Sequence, residues 1–364
     1  MILNNFLDLS ILFCFSFITL FIYRKLARKI GLVDKPNARK QHQGSVPLVG
    51  GLSICTALLF YIYFHIGFAP RSIIYSMSVL LLVLVGVIDD KFDISFKVRL
   101  AVQVGLSAIM MLAANLKLQF VGDVLSMGSI HLGIFSYFIT VIAVVGAINA
   151  FNMVDGIDGL LGGLAVVTFG ALSIILYLAG AEEFGFLCIV IIVSILPYIM
   201  MNLGILGRER KVFMGDAGSM LIGFTVIWFI LIATQEEAIQ IMRPITALWL
   251  IAVPLMDMAA IMYRRIRRGD SPFKPDREHL HHIFQRLGCT PRQTLAIICL
   301  IAAGFAGFGI WGEVNQVPEP IMFALFIAAF VAYAVCLSHI WVITSKLRKL
   351  FRVESLRTFK KVTR

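Results

Sequence analysis

The chain has 364 residues, of which 59% are hydrophobic and 15% charged, and its formal net charge is +11. Its mean hydropathy is +0.90, whereas soluble domains are typically about 45–50% apolar and about 25% charged. A chain this long with so few charges cannot hide its apolar surface from water in one soluble core. Disordered chains are excluded as well, because they are poor in apolar residues. The composition therefore predicts an all-α polytopic membrane protein.

Eleven segments are apolar enough to predict membrane-spanning helices, since a span needs about 20 mostly apolar residues. They lie at about 6–23, 47–65, 72–88, 99–116, 134–149, 160–178, 185–203, 217–233, 244–262, 294–311 and 321–343. We predict one integral-membrane catalytic domain over residues 1–345, followed by a basic amphipathic tail at 346–364 that lies on the cytoplasmic membrane surface.

The basic residues predict the orientation of these spans, because cytoplasmic loops are enriched in Lys and Arg. All but three of the 32 Lys and Arg residues fall on one side of the predicted topology, and the exceptions are Arg71, Lys117 and Arg243. This asymmetry places the N-terminus in the periplasm and the C-terminus in the cytoplasm. The high positive charge is then explained by attraction to the anionic lipids of the membrane surface. We therefore predict no nucleic-acid partner.

An acidic motif ends the third predicted span. It reads Asp89-Asp90-Lys91-Phe92-Asp93. Three carboxylates so close together repel one another unless a cation or a cationic group compensates them. Taken alone, the motif also fits a solvated loop with helix-capping aspartates.

A polar stripe follows the fifth predicted span. Its members are Asn149, Asn152, Asp155 and Asp158, and the glycines Gly162 and Gly163 come directly after it. Residues three apart lie on one face of a helix, and polar groups emerging from an apolar span are usually functional. We expect the glycines to let phosphate groups approach the backbone. A glycine-rich turn between two spans is the alternative.

Asp216 stands between Gly215 and Gly218 at the start of the eighth predicted span. The functional interpretation is a metal-binding carboxylate beside a helix N-terminus that accepts phosphate. A simple N-terminal cap with flexible glycines is the alternative.

A long basic loop follows the ninth predicted span. It contains Arg264, Arg265, Arg267, Arg268, His279, His281 and His282. Arginine clusters bind phosphate bidentately, which favours phosphate recognition over a zinc site or a solvated loop. The basic segment 34–47 could hold an anionic headgroup, but the positive-inside topology explains it equally well.

All of these motifs lie on the predicted cytoplasmic side. Carboxylates with few His or Cys neighbours suit a hard cation, Mg²⁺ or Mn²⁺. Together with phosphate-binding Arg and Lys and a membrane, they indicate phosphoryl transfer between a nucleotide and a lipid. A transporter is disfavoured because Asp257 is the only acid inside a predicted span, and a scaffold leaves the polar stripe without a purpose.

The motifs DDKFD, NAFNMVDGIDGL, VFMGDAGS and HLHH occur in an order that resembles the polyprenyl-phosphate N-acetylhexosamine-1-phosphate transferase family over nearly the whole chain. The resemblance implies an active site at the cytoplasmic face of the bacterial inner membrane. The flanking loops look like the members that start O-antigen and enterobacterial common antigen synthesis. Those members convert UDP-GlcNAc and undecaprenyl phosphate to undecaprenyl-diphosphate-GlcNAc and UMP. The alternative is another UDP-amino sugar donor, such as a muramoyl-pentapeptide or GalNAc nucleotide.

The resemblance also implies residue roles. Asp216 would bind Mg²⁺ or Mn²⁺, and Asp89 and Asp90 would face the lipid phosphate, with Asp89 as the base. Asp155 and Asp158 would organise the uridine diphosphate site. The remaining residues would bind substrate: Asn149, Asn152, Asn202 and Lys91, together with Arg265, His279, His281 and His282, which would hold the diphosphate and GlcNAc. We favour direct attack by the lipid phosphate over a route through an aspartyl-phosphate. The expected partners are undecaprenyl phosphate, UDP-GlcNAc and the lipid bilayer, and a homodimer is left open.

Overall fold

The computed structural model describes residues 2–35, 44–236, 241–272 and 279–338. This part of the chain is helical apart from one two-stranded antiparallel sheet. The elements are α1 (Ile2–Ile30), β1 (Val33–Asp34), β2 (Val46–Pro47), α2 (Gly50–Tyr61, continued by a π-helix at Ile62–Ile66), α3 (Pro70–Phe92), α4 (Phe96–Ala113), α5 (Phe135–Val154), α6 (Leu160–Leu178), α7 (Glu182–Asn202), a 3₁₀ turn (Arg208–Arg210), α8 (Gly215–Gln235), α9 (Pro244–Leu250), α10 (Ala252–Arg267), α11 (Leu280–Arg286), α12 (Pro291–Val314) and α13 (Glu319–Ser338).

The structure confirms an all-helical chain with many membrane-spanning helices. Within the described ranges, nine helices are long and apolar enough to cross a membrane, and each coincides with a predicted span. The predicted span 47–65 corresponds to a shorter apolar helix, Gly50–Ile66. The tail 346–364 and the end of the span 321–343 lie outside the described residues, as do 36–43 and 273–278 of the two basic loops. The division at residue 345 stays a prediction.

The predicted span 244–262 is two helices rather than one. The helices α9 and α10 meet at an angle of 81°, and the break falls at Ile251, whose φ of −113° and ψ of 19° are not helical. Pro254, in the first turn of α10, has no N–H to donate, so it disfavours an uninterrupted helix through this point. An apolar run does not reveal such a break, because hydropathy ignores backbone geometry.

Helix α8 is the centre of the bundle. Nearly all of its residues are buried, and it packs against α2, α3 and α5. The approach of α3 is very close: a Cβ added to Gly86 would overlap the backbone of Ala217. Gly51 of α2 approaches the backbone of Gly218 in the same way. These contacts hold the start of α8 directly against the end of α3 and the start of α2.

The segments predicted to share one side of the membrane do meet at one end of the bundle. Arg28, at the end of α1, donates to the carbonyl of Glu209 over 3.1 Å. At the opposite end, Arg71 forms a 2.8 Å ion pair with Glu236. The pairing of segments therefore agrees with the predicted topology, while the assignment of the first end to the cytoplasm stays a prediction.

Candidate active site

Two motifs meet at the start of α8. Oδ1 of Asp90 accepts a 2.8 Å hydrogen bond from the backbone N–H of Asp216, and its Oδ2 accepts a 3.4 Å bond from that of Ala217. The first N–H groups of a helix have no partner within the helix, so the Asp90 carboxylate caps α8. Asp90 is therefore placed to position the Asp216 motif.

Asp89 and Asp216 converge on one guanidinium group. Nη1 of Arg99, on α4, lies 2.8 Å from Oδ2 of Asp89 and 3.5 Å from Oδ1 of Asp216. The Asp89 side chain is only 3% exposed, whereas that of Asp216 is 34% exposed. A buried carboxylate requires a counter-charge. Arg99, which the sequence did not single out, supplies it from a neighbouring helix.

The asparagines of the polar stripe line the same site from α5. Nδ2 of Asn152 donates to Asp216 Oδ1 over 2.5 Å and to Ser219 Oγ over 2.7 Å. Nδ2 of Asn149 donates to Oε1 of the buried Gln103 over 2.9 Å. Asn152 therefore contacts the predicted metal ligand directly, whereas Asn149 lies one turn deeper in the bundle.

The expectation of one helical polar stripe is wrong beyond Asn152. Helix α5 ends at Val154, and Asp155 follows with a ψ of 66°. Asp158 lies in the turn before α6, where Gly159 adopts a φ of +77° that glycine alone tolerates readily. Asp155 is exposed, and Asp158 forms a 2.6 Å ion pair with Lys211. The two aspartates belong to a loop facing the 3₁₀ turn.

Asn202 connects this loop to the segment before α8. It is 2% exposed; its Oδ1 accepts from the backbone N–H of Gly159 over 2.5 Å, and its Nδ2 donates to the carbonyl of Val212 over 2.8 Å. Both polar ends of the side chain are therefore satisfied within the protein. The predicted substrate-binding role of Asn202 stays a prediction, and its contacts are those of a structural brace.

The glycines after the stripe do not form a phosphate cradle. A Cβ on Gly162 would lie 2.7 Å from Cγ1 of Ile199, and one on Gly163 would lie 2.7 Å from Sγ of Cys299. Both positions are filled by neighbouring helices, so these glycines allow α6 to pack closely. The expectation that they admit phosphate is therefore wrong.

The histidine motif lies at the start of α11. Nδ1 of His279 is 2.8 Å from Oδ2 of Asp257. The ring of His281 is parallel to that of His279 at 5.8 Å and lies 4.1 Å from that of His282. Its Nε2 packs against Gly156, so the motif contacts the loop that carries Asp155.

His281 is a neutral packing group. It is 3% exposed. Burial lowers the pKa of His281 to about 3, and the neighbouring His282 and His279 act in the same direction. A ring that stays neutral over the physiological range does not supply positive charge to a diphosphate. The predicted contact of His281 with the donor stays a prediction.

Arg265 and Lys91 occupy very different surroundings. Arg265 is 4% exposed, and its Nη1 donates to the carbonyl of Pro272 over 2.6 Å. Lys91 is exposed, with its Nζ 5.2 Å from the centre of the Phe92 ring. Arg265 therefore lies on α10 rather than in the predicted loop and anchors the segment that follows the helix, whereas Lys91 is free to meet an anionic group at the membrane surface.

The donors that converge at the start of α8 fit a hard divalent cation. Asp89 and Asp216 present carboxylate oxygens from two helices to the single positive charge of Arg99, and such cations bind one or two protein carboxylates together with substrate phosphates. Within residues 2–35, 44–236, 241–272 and 279–338, no group of three or more His, Cys, Asp or Glu side chains is arranged to hold a metal ion. The histidine motif therefore shows no zinc arrangement there.

A polar cavity of about 290 Å³ lies at the opposite end of the bundle. It is lined by Arg71, Asn115, Leu116, Lys117, Gln119, Gln235 and Glu236. These residues come from the start of α3, the segment after α4 and the end of α8, whereas Asp89, Asp90 and Asp216 lie at the other ends of α3 and α8. The cavity is therefore separate from the candidate active site.

Sequence reasoning missed four residues that contact the predicted site: Arg99, Lys211, Ser219 and Tyr333. Arg99 and Tyr333 lie on α4 and α13, outside every predicted motif, whereas Lys211 directly precedes the VFMGDAGS motif and Ser219 ends it without having been given a role. Asp257 could have been noticed in the sequence, because it is the only acid within a predicted span. Its hydrogen bond to His279 could not, because the two residues are 22 positions apart in the chain.

The chain is similar to a known family and to several named proteins. The sequence profile of glycosyl transferase family 4 matches residues 72–234. The chain is 49% identical to an undecaprenyl-phosphate alpha-N-acetylglucosaminyl 1-phosphate transferase of Escherichia coli O157:H7, over 95% of this chain and 94% of the relative.

Two further relatives carry the same name. The protein of Yersinia pestis is 50% identical over 95% of this chain and 94% of its own length. That of Haemophilus influenzae is 47% identical over 95% of this chain and 98% of its own length. The chain therefore belongs to glycosyl transferase family 4 and, as its four motifs predicted, to the polyprenyl-phosphate N-acetylhexosamine-1-phosphate transferases.

Proposed function

We propose that this protein transfers GlcNAc-1-phosphate from UDP-GlcNAc to undecaprenyl phosphate, at the cytoplasmic face of the bacterial inner membrane. The observation that carries the proposal is the meeting of Asp90, Asn152 and Arg99 at Asp216, with Asp89 on the same guanidinium, at one end of a membrane-spanning bundle. The names of relatives nearly half identical to the chain support the lipid acceptor and the amino sugar.

The acceptor phosphate would enter beside α3 and α4. Lys91 and Phe92 are exposed where α3 ends, and Arg99 lies one helix away with its side chain 24% exposed. A polyprenyl phosphate has its chain in the bilayer and its charge at the surface, so a guanidinium and an ammonium at this depth would attract its headgroup. Asp89 is our candidate to keep that phosphate deprotonated.

The donor would bind at the exposed side of the loop 155–159, next to the histidine motif that packs against Gly156. Asp155 is exposed there, and Lys211 offers a positive charge that Asp158 orients over 2.6 Å. A lysine held in this way is suited to the diphosphate of a nucleotide sugar. The reaction then forms a bond from an oxygen of the lipid phosphate to the β-phosphorus and breaks the bond to UMP.

Asp216 would hold Mg²⁺ or Mn²⁺, with Asp89 on the other side of the shared Arg99 guanidinium. When bound, the cation would neutralise the diphosphate and offset the charge that develops on the leaving UMP. Asn152 orients the Asp216 carboxylate through its 2.5 Å hydrogen bond, and Asp90 fixes the helix start that carries it.

Release of UMP by the purified protein tests the proposal. The assay would contain undecaprenyl phosphate, Mg²⁺ or Mn²⁺, and one of several UDP-sugars. We expect UDP-GlcNAc to give turnover and Asp216→Asn to abolish it. Asp123→Asn is a matched control, because Asp123 lies in the 114–134 loop and an asparagine keeps the oxygen that accepts from Gly128. Turnover with a different UDP-sugar alone would contradict the donor assignment.

A further inference from the structure

Asp257 is buried within the broken span and has three hydrogen-bond donors around it. It is 1% exposed. Its Oδ2 lies 2.8 Å from Nδ1 of His279. Its Oδ1 accepts from the hydroxyl of Tyr333 over 2.6 Å and from the backbone N–H of Leu280 over 3.1 Å. A buried acid inside a membrane protein is costly and usually functional, and this one is fully satisfied.

The three contacts determine the tautomer of His279. An ionised carboxylate only accepts hydrogen bonds, and both oxygens of Asp257 serve as acceptors here. Nδ1 of His279 must therefore carry a proton. The remaining nitrogen, Nε2, has no hydrogen-bond partner among the residues that the structure describes. It offers a lone pair in the neutral ring and a second N–H when the ring is protonated.

The His279 ring lies beside the His281 ring, which contacts the loop that carries Asp155. The His279 ring is parallel to that of His281 at 5.8 Å. His281 in turn packs on Gly156, in the loop between Asp155 and Asp158. The His281 ring therefore links His279 to this loop. A ring free to rotate would present either nitrogen and would lose entropy on binding.

We infer that Asp257 and Tyr333 are positioning residues for His279: together they keep the proton on Nδ1 and aim Nε2 at the phosphate groups of the donor. This inference rests on the proposed function, because it takes the ligand of His279 to be a nucleoside diphosphate sugar. The arrangement follows the general pattern in which a carboxylate fixes a functional imidazole. It also assigns a role to α13, which lies outside the matched segment 72–234.

Asp257→Asn and Tyr333→Phe test the inference in the full-length protein. An asparagine side chain has only one acceptor oxygen, so it cannot accept hydrogen bonds both from His279 and from the Leu280 and Tyr333 donors. Its amide N–H group would then face a donor on one of the two sides. We expect Asp257→Asn to raise KM for UDP-GlcNAc about 10-fold or more, with a smaller change in kcat, as for other residues that orient a ligand. Tyr333→Phe removes one of the three hydrogen bonds, so we expect a rise of about 3-fold in KM. Tyr263→Phe is the matched control, since Tyr263 is 59% exposed on the same helix as Asp257.

A spectroscopic measurement separates positioning from general stability. Protein labelled with ¹⁵N-histidine would be compared with His279→Gln to assign the His279 signals. We expect the wild type and Tyr263→Phe to carry the proton on Nδ1, and Asp257→Asn to lose that preference. If Asp257→Asn does not fold, Tyr333→Phe carries the kinetic test and the wild-type spectrum carries the tautomer test.

The outcomes distinguish the two proposals. If the wild-type protein shows no turnover with UDP-GlcNAc but holds His279 as the Nδ1–H tautomer, UDP-GlcNAc is not the donor. The inference that Asp257 and Tyr333 position His279 would still stand. Wild-type KM values in Asp257→Asn or Tyr333→Phe, or a proton on Nε2 of wild-type His279, would overturn the inference.

Discussion

The carboxylate of Asp90 caps the helix on which Asp216 stands, through the 2.8 Å bond to the Asp216 N–H. Two motifs separated by more than a hundred residues thus form one unit. Adjacent aspartates in the first motif have different tasks: Asp90 fixes the backbone of α8, while Asp89 shares a guanidinium with the Asp216 side chain.

Asp90→Ala should therefore reduce stability as well as activity. Loss of a capping side chain costs about 0.5–2 kcal/mol. We expect a lower melting temperature together with little turnover. Asp216→Asn should lose turnover with a nearly unchanged melting temperature. Asp8→Ala at the other end of the bundle is the control, and equal melting temperatures for it and Asp90→Ala would contradict the capping role.

Arg99→Gln should make the protein dependent on divalent cations for stability. Asp89 is nearly fully buried, and removing one partner of a buried ion pair costs about 3–5 kcal/mol. We expect a clear drop in melting temperature in EDTA and a partial recovery with Mn²⁺, because a cation between Asp89 and Asp216 restores the missing charge. Wild-type protein should respond less to Mn²⁺. An Arg99→Gln variant that melts like the wild type in EDTA would refute this account.

Gly86→Ala should inactivate the protein by displacing α3 from α8. The added Cβ meets the backbone of Ala217, which has no flexible end to move aside. We expect loss of UMP release and of thermal stability. Gly105→Ala is the matched control: that glycine is helical with nothing within 4 Å of the new Cβ, so the change should stabilise α4 by up to about 1 kcal/mol. Similar behaviour of the two variants would show that the close approach is unimportant.

The buried His281 should make the protein less stable in mild acid. Burial lowers its pKa to about 3, whereas an unfolded histidine has a pKa of about 6.5. Below pH 6.5 the unfolded state binds the extra proton and the folded state does not, so stability falls as the pH decreases. Between pH 7 and pH 5 this amounts to about 2 kcal/mol. His281→Gln should lose this component, and identical pH dependence of unfolding for variant and wild type would contradict it.

The sequence predicted most of the helices because apolar runs and turn residues are local signals. The polar stripe shows the limit of such signals. Its spacing of three residues fits a helix, but α5 ends at Val154, and the turn that follows places Asp158 2.6 Å from Lys211. The spacing of the polar residues is a property of one segment of the chain. The residue that each of them contacts is supplied by another helix or loop.

The composition and the uneven distribution of charge by themselves determined that this is a polytopic helical membrane protein with its polar motifs on one side. The motifs determined the family. Only the tertiary structure decided that Arg99 joins Asp89 to Asp216, that Asp90 caps α8, and that Asp257 and Tyr333 orient His279. The physical reason is that hydropathy and motif spacing are properties of neighbouring residues. The counter-charge, cap and hydrogen-bond partner of a buried group come instead from whichever helix packs beside it.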